Sequence, residues 1–235
     1  MQNLRLRFFT HTAIAASCAL AAMHASAAIV ISEVDAAGSA NAAYAADWFE
    51  LTNTGPSAMS IAGWKMDDSS DSFSTAVALT GVTSIGAGQS VVFLEDTGST
   101  AATVNANFIS AWFGSNPPSG LTLGNYGGSG VGLSQSGDAV NIFDSSGNPV
   151  TGVVFNASSL TGGTFDNTAG LSNATLTQVS VAGVNGAFKS LQGNEIGSPG
   201  IDATPVPVPP ALFLFLGGLG LIGPTIKKKA LAPGV

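Results

Sequence analysis

Cysteine, histidine and arginine are almost missing from this sequence, and the few that occur lie near its beginning. Among 235 residues there are one cysteine, Cys18, two histidines, His11 and His24, and two arginines, at positions 5 and 7. The chain beyond residue 27 therefore has no thiol or imidazole for a Ser-His-Asp or Cys-His nucleophile. It also has no thiolate or imidazole for an ordinary zinc site, and it can form no disulfide.

Charge is scarce as well, and it is unevenly distributed. Charged residues make up 9% of the sequence, whereas 45% are apolar, which is enough for a folded core. All 14 carboxylates lie between Glu33 and Asp202, and only Lys65 and Lys189 oppose them there, a balance of −12. Nucleic-acid binding requires a cationic footprint, so this composition excludes nucleic acid as a partner.

The N-terminal segment has the three parts of an export signal. Two arginines precede an apolar stretch at 13–23, and Ala25 and Ala27 then form a small-x-small cleavage site. We therefore predict a signal peptide over 1–27, handled by the export machinery and cut by a signal peptidase. A buried alanine-rich helix and a lipoprotein signal at Cys18 are the less favoured alternatives.

The C-terminal end also has an ordered layout. A proline-rich spacer at 205–210 precedes an uncharged apolar segment at 211–226, and Lys227, Lys228 and Lys229 follow. Sixteen helical residues extend about 24 Å, slightly less than a hydrocarbon core of about 30 Å. We predict a membrane segment whose lysines stay in the cytoplasm, which leaves the acidic region outside.

This layout resembles the PEP-CTERM sorting signal of Gram-negative bacteria. The resemblance covers residues 204–235 and is carried by Val206, Pro207, Val208 and Pro209, although the family usually has glutamate where Val208 stands. It implies cleavage near the prolines by an exosortase-type enzyme. It also implies delivery to the cell surface, outer envelope or extracellular matrix, with the inner-membrane anchor either transient or permanent.

Between these ends, 28–203 has the pattern of a single all-β domain. Short apolar runs alternate with Gly, Asn, Asp and Ser, as in the strands and turns of a β-sandwich. The residues at 144–148 predict a hairpin loop in which Gly147 takes a positive φ. The predicted strands are 29–34, 47–53, 58–66, 90–95, 139–144, 150–156 and 176–181.

One segment of this domain predicts a helix instead of a strand. Apolar residues recur at helical spacing over 100–113, and we expect a surface helix packed on one edge of the sandwich with its aromatic stripe in the core. Trp64, which follows a glycine, is expected to bury its indole. The Gly-rich stretches 114–137 and 158–173 are predicted as long surface loops of one domain, since two pieces would be too small.

Five short sequence motifs of this chain, taken in their order, resemble the lamin tail domain, an immunoglobulin-like β-sandwich. The resemblance spans nearly all of 28–203 and departs from the family in its long Gly/Ser-rich insertions. It implies a binding or structural module and no catalysis, though a shared fold is not a shared function. The matching phrases are Ile31-Ser32-Glu33-Val34, Trp48-Phe49-Glu50-Leu51-Thr52-Asn53-Thr54-Gly55, Ile61-Ala62-Gly63-Trp64-Lys65-Met66, Ser136-Gly137-Asp138-Ala139-Val140-Asn141-Ile142-Phe143-Asp144 and Ser198-Pro199-Gly200.

One acidic loop is a candidate metal site. Asp67, Asp68 and Asp71 lie close together among serines, and such hard oxygen ligands suit Ca²⁺. The spacing is not that of an EF-hand, so an ordinary solvated turn is the favoured interpretation. Divalent cations could also bridge the acidic domain to anionic extracellular polysaccharide.

A second set of carboxylates offers an alternative function. Asp35, Asp47 and Glu50 could include a pair for polysaccharide hydrolysis, which needs two carboxyl groups at a defined separation. We expect them instead to be exposed acids at strand ends, with Glu50 either facing solvent or held by backbone donors. The sequence thus predicts an exported, non-enzymatic surface or matrix protein, with an extracellular carboxylate-dependent hydrolase as the alternative.

Overall fold

Two five-stranded sheets pack face to face in the computed structural model of this protein. The described residues are 29–96, 100–157, 162–167, 171, 175–192 and 195–201. The predicted signal peptide at 1–27 and the predicted sorting signal at 204–235 lie outside them. The limits of 28–203 as a domain stay a prediction.

The described residues contain short strands and a single α-helix. The helix α1 spans Ala101–Phe113, and a 3₁₀ turn spans Gly38–Ala40. The strands are β1 Ile29–Asp35, β2 Trp48–Asn53, β3 Met59–Ser60, β4 Lys65–Asp67, β5 Val77–Ala78, β6 Ser84–Ile85, β7 Ser90–Glu95, β8 Leu123–Tyr126, β9 Gly137–Phe143, β10 Pro149–Asn156, β11 Phe165–Asp166, β12 Thr175–Leu176, β13 Phe188–Lys189 and β14 Ile196–Gly197.

The strand order defines the two layers. The first sheet runs β11-β1-β2-β7-β8 and the second runs β12-β10-β9-β4-β5. Neighbours are antiparallel except β7 with β8 and β10 with β12, which are parallel. Two smaller pairs, β13–β14 and β3–β6, stand apart from the main sheets. The predicted all-β sandwich is confirmed at this level.

The main core lies between the two sheets. Alternate residues of β2 point into it, so Phe49 and Leu51 are fully buried there. Phe49 stacks on Phe93 of β7 with ring centroids 5.6 Å apart. Trp64 is 7% exposed and belongs to the same core, which confirms its predicted burial.

A second apolar layer covers the outer face of the first sheet. Trp48 of β2 and Val92 and Leu94 of β7 belong to this layer. Trp48 meets Phe108 and Trp112 of α1 with ring centroids 5.8 Å apart in each pair. The helix is confirmed, and Thr100 is its N-cap. Its expected place at an edge is wrong, because strands that are apolar on both faces need a cover on each side.

Four other elements differ from the predicted pattern, the first being β11, which lies within the predicted loop 158–173. The run 58–66 is not one strand but β3 and β4, separated by a turn in which Gly63 has φ +76°. The predicted loop 114–137 contains β8, where a Cβ on Gly124 would lie 2.5 Å from the Phe93 ring. The segment at 176–181 begins with β12 but leaves it after Leu176, and Val179 forms an isolated bridge with Phe165.

The predicted hairpin between β9 and β10 is confirmed. Gly147 has φ +86°, and its N–H donates to the carbonyl oxygen of Asp144 at 3.0 Å. The Asp144 carboxylate accepts the backbone N–H groups of Ser146 and Asn148 at 2.8 and 2.9 Å. A left-handed glycine and an aspartate that binds the turn's own backbone therefore close this connection.

The second apolar layer should contribute strongly to stability. Phe108 is fully buried between helix and sheet, so Phe108→Ala should lower the free energy of unfolding by about 3–5 kcal/mol in urea denaturation. The matched control is Val181→Ala, since Val181 is 59% exposed and should change it by less than about 0.5 kcal/mol. Equal effects of the two substitutions would contradict the packing of α1 on the sheet.

Candidate functional site

A group of carboxylates lies buried on and around the first sheet, with Glu33 and Glu50 on its outer face. Glu33 of β1 is the register partner of Glu50 on β2, and Asp35, Asp47 and Glu95 lie at neighbouring strand ends. These five residues are at most 7% exposed. The expectation that Asp35, Asp47 and Glu50 are exposed is therefore wrong, because the backbone of Ala37, Ser39 and Gly200, respectively, lies over them and donates hydrogen bonds to them.

Glu33 is held by donors from distant parts of the chain. Its Oε1 accepts the hydroxyl of Thr164 at 2.5 Å and the backbone N–H of Ser198 at 2.9 Å. Its Oε2 accepts the Ser198 hydroxyl at 3.1 Å. Burial raises the pKa of Glu33 well above its usual value, and the negative charge of Glu50 raises this pKa further.

Glu50 completes the same arrangement. Its Oε1 accepts the Ser32 hydroxyl at 2.6 Å, and its Oε2 accepts the backbone N–H of Gly200 at 2.6 Å. Of the two predicted settings for Glu50, the one held by backbone donors is confirmed by the Gly200 N–H, and the Ser32 hydroxyl is a side-chain donor in addition. Glu33 and Glu50 together attach residues 195–201, here named the closing segment, to the first sheet.

A second group of polar side chains lies at the C-terminal end of β1, two residues beyond Glu33. The Asp35 Oδ1 accepts the backbone N–H of Ala37 at 2.9 Å. The Tyr44 hydroxyl donates to Glu195 Oε1 at 2.8 Å and accepts the Trp48 Nε1–H at 3.3 Å. Burial raises the pKa of Asp35 to about 7, helped by the negative charge of Glu195.

Sequence reasoning did not single out Glu33 or Glu195. Glu33 occurs in a strand phrase, Ile31-Ser32-Glu33-Val34, whose pattern alone does not show which face is covered. Glu195 follows a Gly-Asn pair and precedes the two-residue strand β14, which gives no periodic signal. Both residues become important only through contacts between segments far apart in the sequence.

The acidic loop predicted as a calcium site is organised as a turn. Asp67 is fully buried, Asp68 is half-buried, and Asp71 is exposed with φ +47°. Among the described residues, no three Asp, Glu, His or Cys side chains come together as a metal cluster. The Asp67 carboxylate accepts the Ser70 hydroxyl at 2.5 Å, the Ser72 N–H at 2.7 Å and the Thr75 hydroxyl at 3.1 Å.

Open surface is found instead on the outer face of the second sheet. A wide depression of about 630 Å³ there is lined mainly by small and polar residues, including Asp71, Asn141 and Asn156. Val154 on β10 is 52% exposed beside it. This face has no covering helix within the described residues, so it is the accessible side of the sandwich.

Two packed, mainly antiparallel sheets with these connections define an immunoglobulin-like β-sandwich, a fold consistent with a structural or binding module. A family model of the lamin tail domain matches residues 22–157, and the chain belongs to this family. The match ends after β10, so the closing segment lies beyond it. A search of curated proteins found no match.

The described residues contain no helix long and apolar enough to cross a membrane. The predicted membrane segment at 211–226 lies outside the described residues, as do the cleavage residues Ala25 and Ala27 and the sorting residues Val206, Pro207, Val208, Pro209, Lys227, Lys228 and Lys229.

The closing segment should depend on Glu50. Glu50→Ala leaves the Ser32 hydroxyl and the Gly200 N–H without this acceptor, so we expect a loss of about 2–4 kcal/mol in urea denaturation. Glu50→Gln keeps an acceptor and removes the charge beside Glu33, so its unfolding free energy should stay within about 1 kcal/mol of the parent. Two variants of equal stability would show that the closing segment is held elsewhere.

Stability should also depend on pH through Glu95. Burial raises the pKa of Glu95, and the charge of Asp47 raises it further. The folded state then binds more protons than the unfolded state, so this contribution to stability is lost as pH rises above the usual value of 4.5. Glu95→Gln should therefore flatten the decline in unfolding free energy between about pH 4.5 and 7.

Asp144→Asn provides the opposite control for this pH dependence. Hydrogen bonds from Asn148 lower the pKa of the exposed Asp144, so its contribution is present above the usual value of 3.8 and is lost at lower pH. The substitution should leave the slope between about pH 4.5 and 7 unchanged. Equal slopes for the parent and Glu95→Gln would refute the role of Glu95.

Proposed function

We propose that this protein is an exported, non-enzymatic surface or matrix protein whose lamin tail domain serves as a binding or structural module. The observation that supports this proposal is that the buried carboxylates Glu33 and Glu50 bind the protein's own chain. Glu33 and Glu50 accept hydrogen bonds from the closing segment, and they lie under it instead of in an open cleft. Carboxylates in this setting stabilise the fold and are out of a polymer's reach.

The hydrolase alternative finds little support in this geometry. Glycoside hydrolysis needs two carboxyl groups on either side of a bond that the substrate can bring between them. Asp35, Asp47 and Glu50 are 4%, 3% and 2% exposed, respectively. Each accepts a hydrogen bond from the protein's own backbone. The exposed face of the second sheet is the better candidate for contact with extracellular polysaccharide.

Export and sorting form the second half of the proposal. The signal peptide at 1–27 would engage the export machinery and a signal peptidase, and the segment at 204–235 would engage an exosortase-type enzyme in a Gram-negative bacterium. The closing segment ends at Ile201, close to the predicted sorting signal. The domain would then be joined to the sorting signal by a very short linker.

The mature ends of the protein test this proposal. In a Gram-negative host with an exosortase, intact mass spectrometry of the surface fraction should show a chain that starts at Ala28 or Ile29. It should also lack Lys227 to Lys229. Substitution of Pro207 and Pro209 by Ala should leave these lysines in place and the protein in the membrane fraction.

Two outcomes would contradict this assignment in different ways. A surface protein that keeps Lys227 to Lys229 without substitution would favour permanent membrane anchoring. An unprocessed chain with Met1 in the cytosol would overturn export itself. Release of reducing ends from matrix polysaccharide, lost in both Asp35→Asn and Glu50→Gln variants of normal stability, would favour the hydrolase.

A further inference from the structure

A small cavity lies where the end of β1 approaches the closing segment. Its volume is about 150 Å³, and its polar side chains are Asp35, Asn41, Gln135 and Glu195. Ala37, Ala40 and Gly162 complete the wall. The cavity is large enough for a metal ion with several waters, and too small for a sugar chain.

Two carboxylate oxygens in this cavity have no hydrogen-bond partner. They are Oδ2 of Asp35 and Oε2 of Glu195, and the residues are 4% and 5% exposed. The other oxygen of each carboxylate is held, by the Ala37 N–H at 2.9 Å and by the Tyr44 hydroxyl at 2.8 Å. Each carboxylate is therefore fixed in orientation while one buried oxygen is left unsatisfied.

The charges around these oxygens are of one sign. The charged groups that act on Asp35 are Glu195 and Asp47, both of which disfavour its ionised form. Burial raises the pKa of Glu195, and the nearby Asn41 side chain offsets part of this rise, although its Nδ2 makes no hydrogen bond of acceptable geometry. Buried like charges without a cation are costly, so the cavity favours a bound positive charge.

The donor set indicates which cation would bind. Each of the four polar side chains around the cavity has an oxygen that could ligate a cation, and the described residues contain neither thiol nor imidazole. Oxygen ligands with flexible coordination suit Ca²⁺, which accepts carboxylates, amide and backbone carbonyls, and water. Two carboxylates are fewer than a high-affinity calcium site has. We therefore expect a Ca²⁺ dissociation constant of about 10⁻⁴–10⁻³ M, which is typical of extracellular modules.

We propose that Asp35 and Glu195 form a calcium site in this cavity, with Asn41, the cavity wall and water completing the coordination. The site joins β1 to the closing segment across 160 residues of sequence. Calcium would therefore stabilise the end of the domain. The proposal is independent of export and of the acidic loop at 67–72.

Thermal melting of the full chain in Ca²⁺ and in chelator tests the site. The parent protein should melt about 5 °C or more higher when Ca²⁺ reaches a hundred times its dissociation constant. Asp35→Asn and Glu195→Gln should each abolish this difference. The matched controls, Asp68→Asn and Asp71→Asn, should keep it. Each variant is compared with itself in chelator, so a change in basal stability does not affect the result.

Terbium luminescence gives a second and local measurement. Tyr44 donates to Glu195 and accepts from Trp48, so both rings lie near the cavity and can sensitise bound Tb³⁺. Emission should appear in the parent and in Asp71→Asn, disappear in Asp35→Asn and be displaced by Ca²⁺. A parent with neither emission nor a melting shift would overturn the proposal and leave water or a proton in the cavity. Loss of both signals only in Asp68→Asn and Asp71→Asn would place the cation in the loop instead.

Discussion

The contact between the closing segment and the pair Glu33 and Glu50 holds the architecture together. Two acidic side chains on adjacent strands would repel each other and require water if their face of the sheet were open. The backbone N–H groups of Ser198 and Gly200 replace that water at 2.9 and 2.6 Å. A Cβ on Gly197 would lie 2.5 Å from Glu33 Oε1, so only glycine allows this approach. Backbone N–H groups near the end of the domain thus supply the hydrogen bonds that buried carboxylates near its beginning need.

The same face of the first sheet also carries the apolar layer under α1. This layer is connected to the polar contacts of Glu33 and Glu50. Trp112 of α1 meets Phe188 of β13 with ring centroids 5.6 Å apart, and Gln192 donates its backbone N–H to the Ala111 carbonyl at 2.9 Å. The helix therefore packs on the sheet and is tied to the strands that precede the closing segment. Apolar packing and buried polar bonds on this face stabilise one another, because each excludes water from the other.

Much of the sandwich could be predicted because its signals are local. The runs at 29–34 and 90–95, the helix at 100–113 and the Gly147 turn have periodicities or turn residues that belong to one segment. β8 could not be found this way, since Gly124 is small to fit against Phe93, a contact between distant residues. The burial of Glu50 and the cavity at Asp35 likewise depend on the closing segment, which single-segment patterns do not reveal.

The separation in sequence between Glu33 and Ser198 governs when this fold can be completed. These residues are 165 positions apart. The ribosome therefore makes β1 long before it makes the closing segment that binds Glu33. Until Ser198 and Gly200 arrive, Glu33 and Glu50 lack these donors, and the part of the outer face around them stays open to water. The domain therefore completes these contacts only when residues 198–200 have been synthesised, and a chain truncated before residue 198 lacks them.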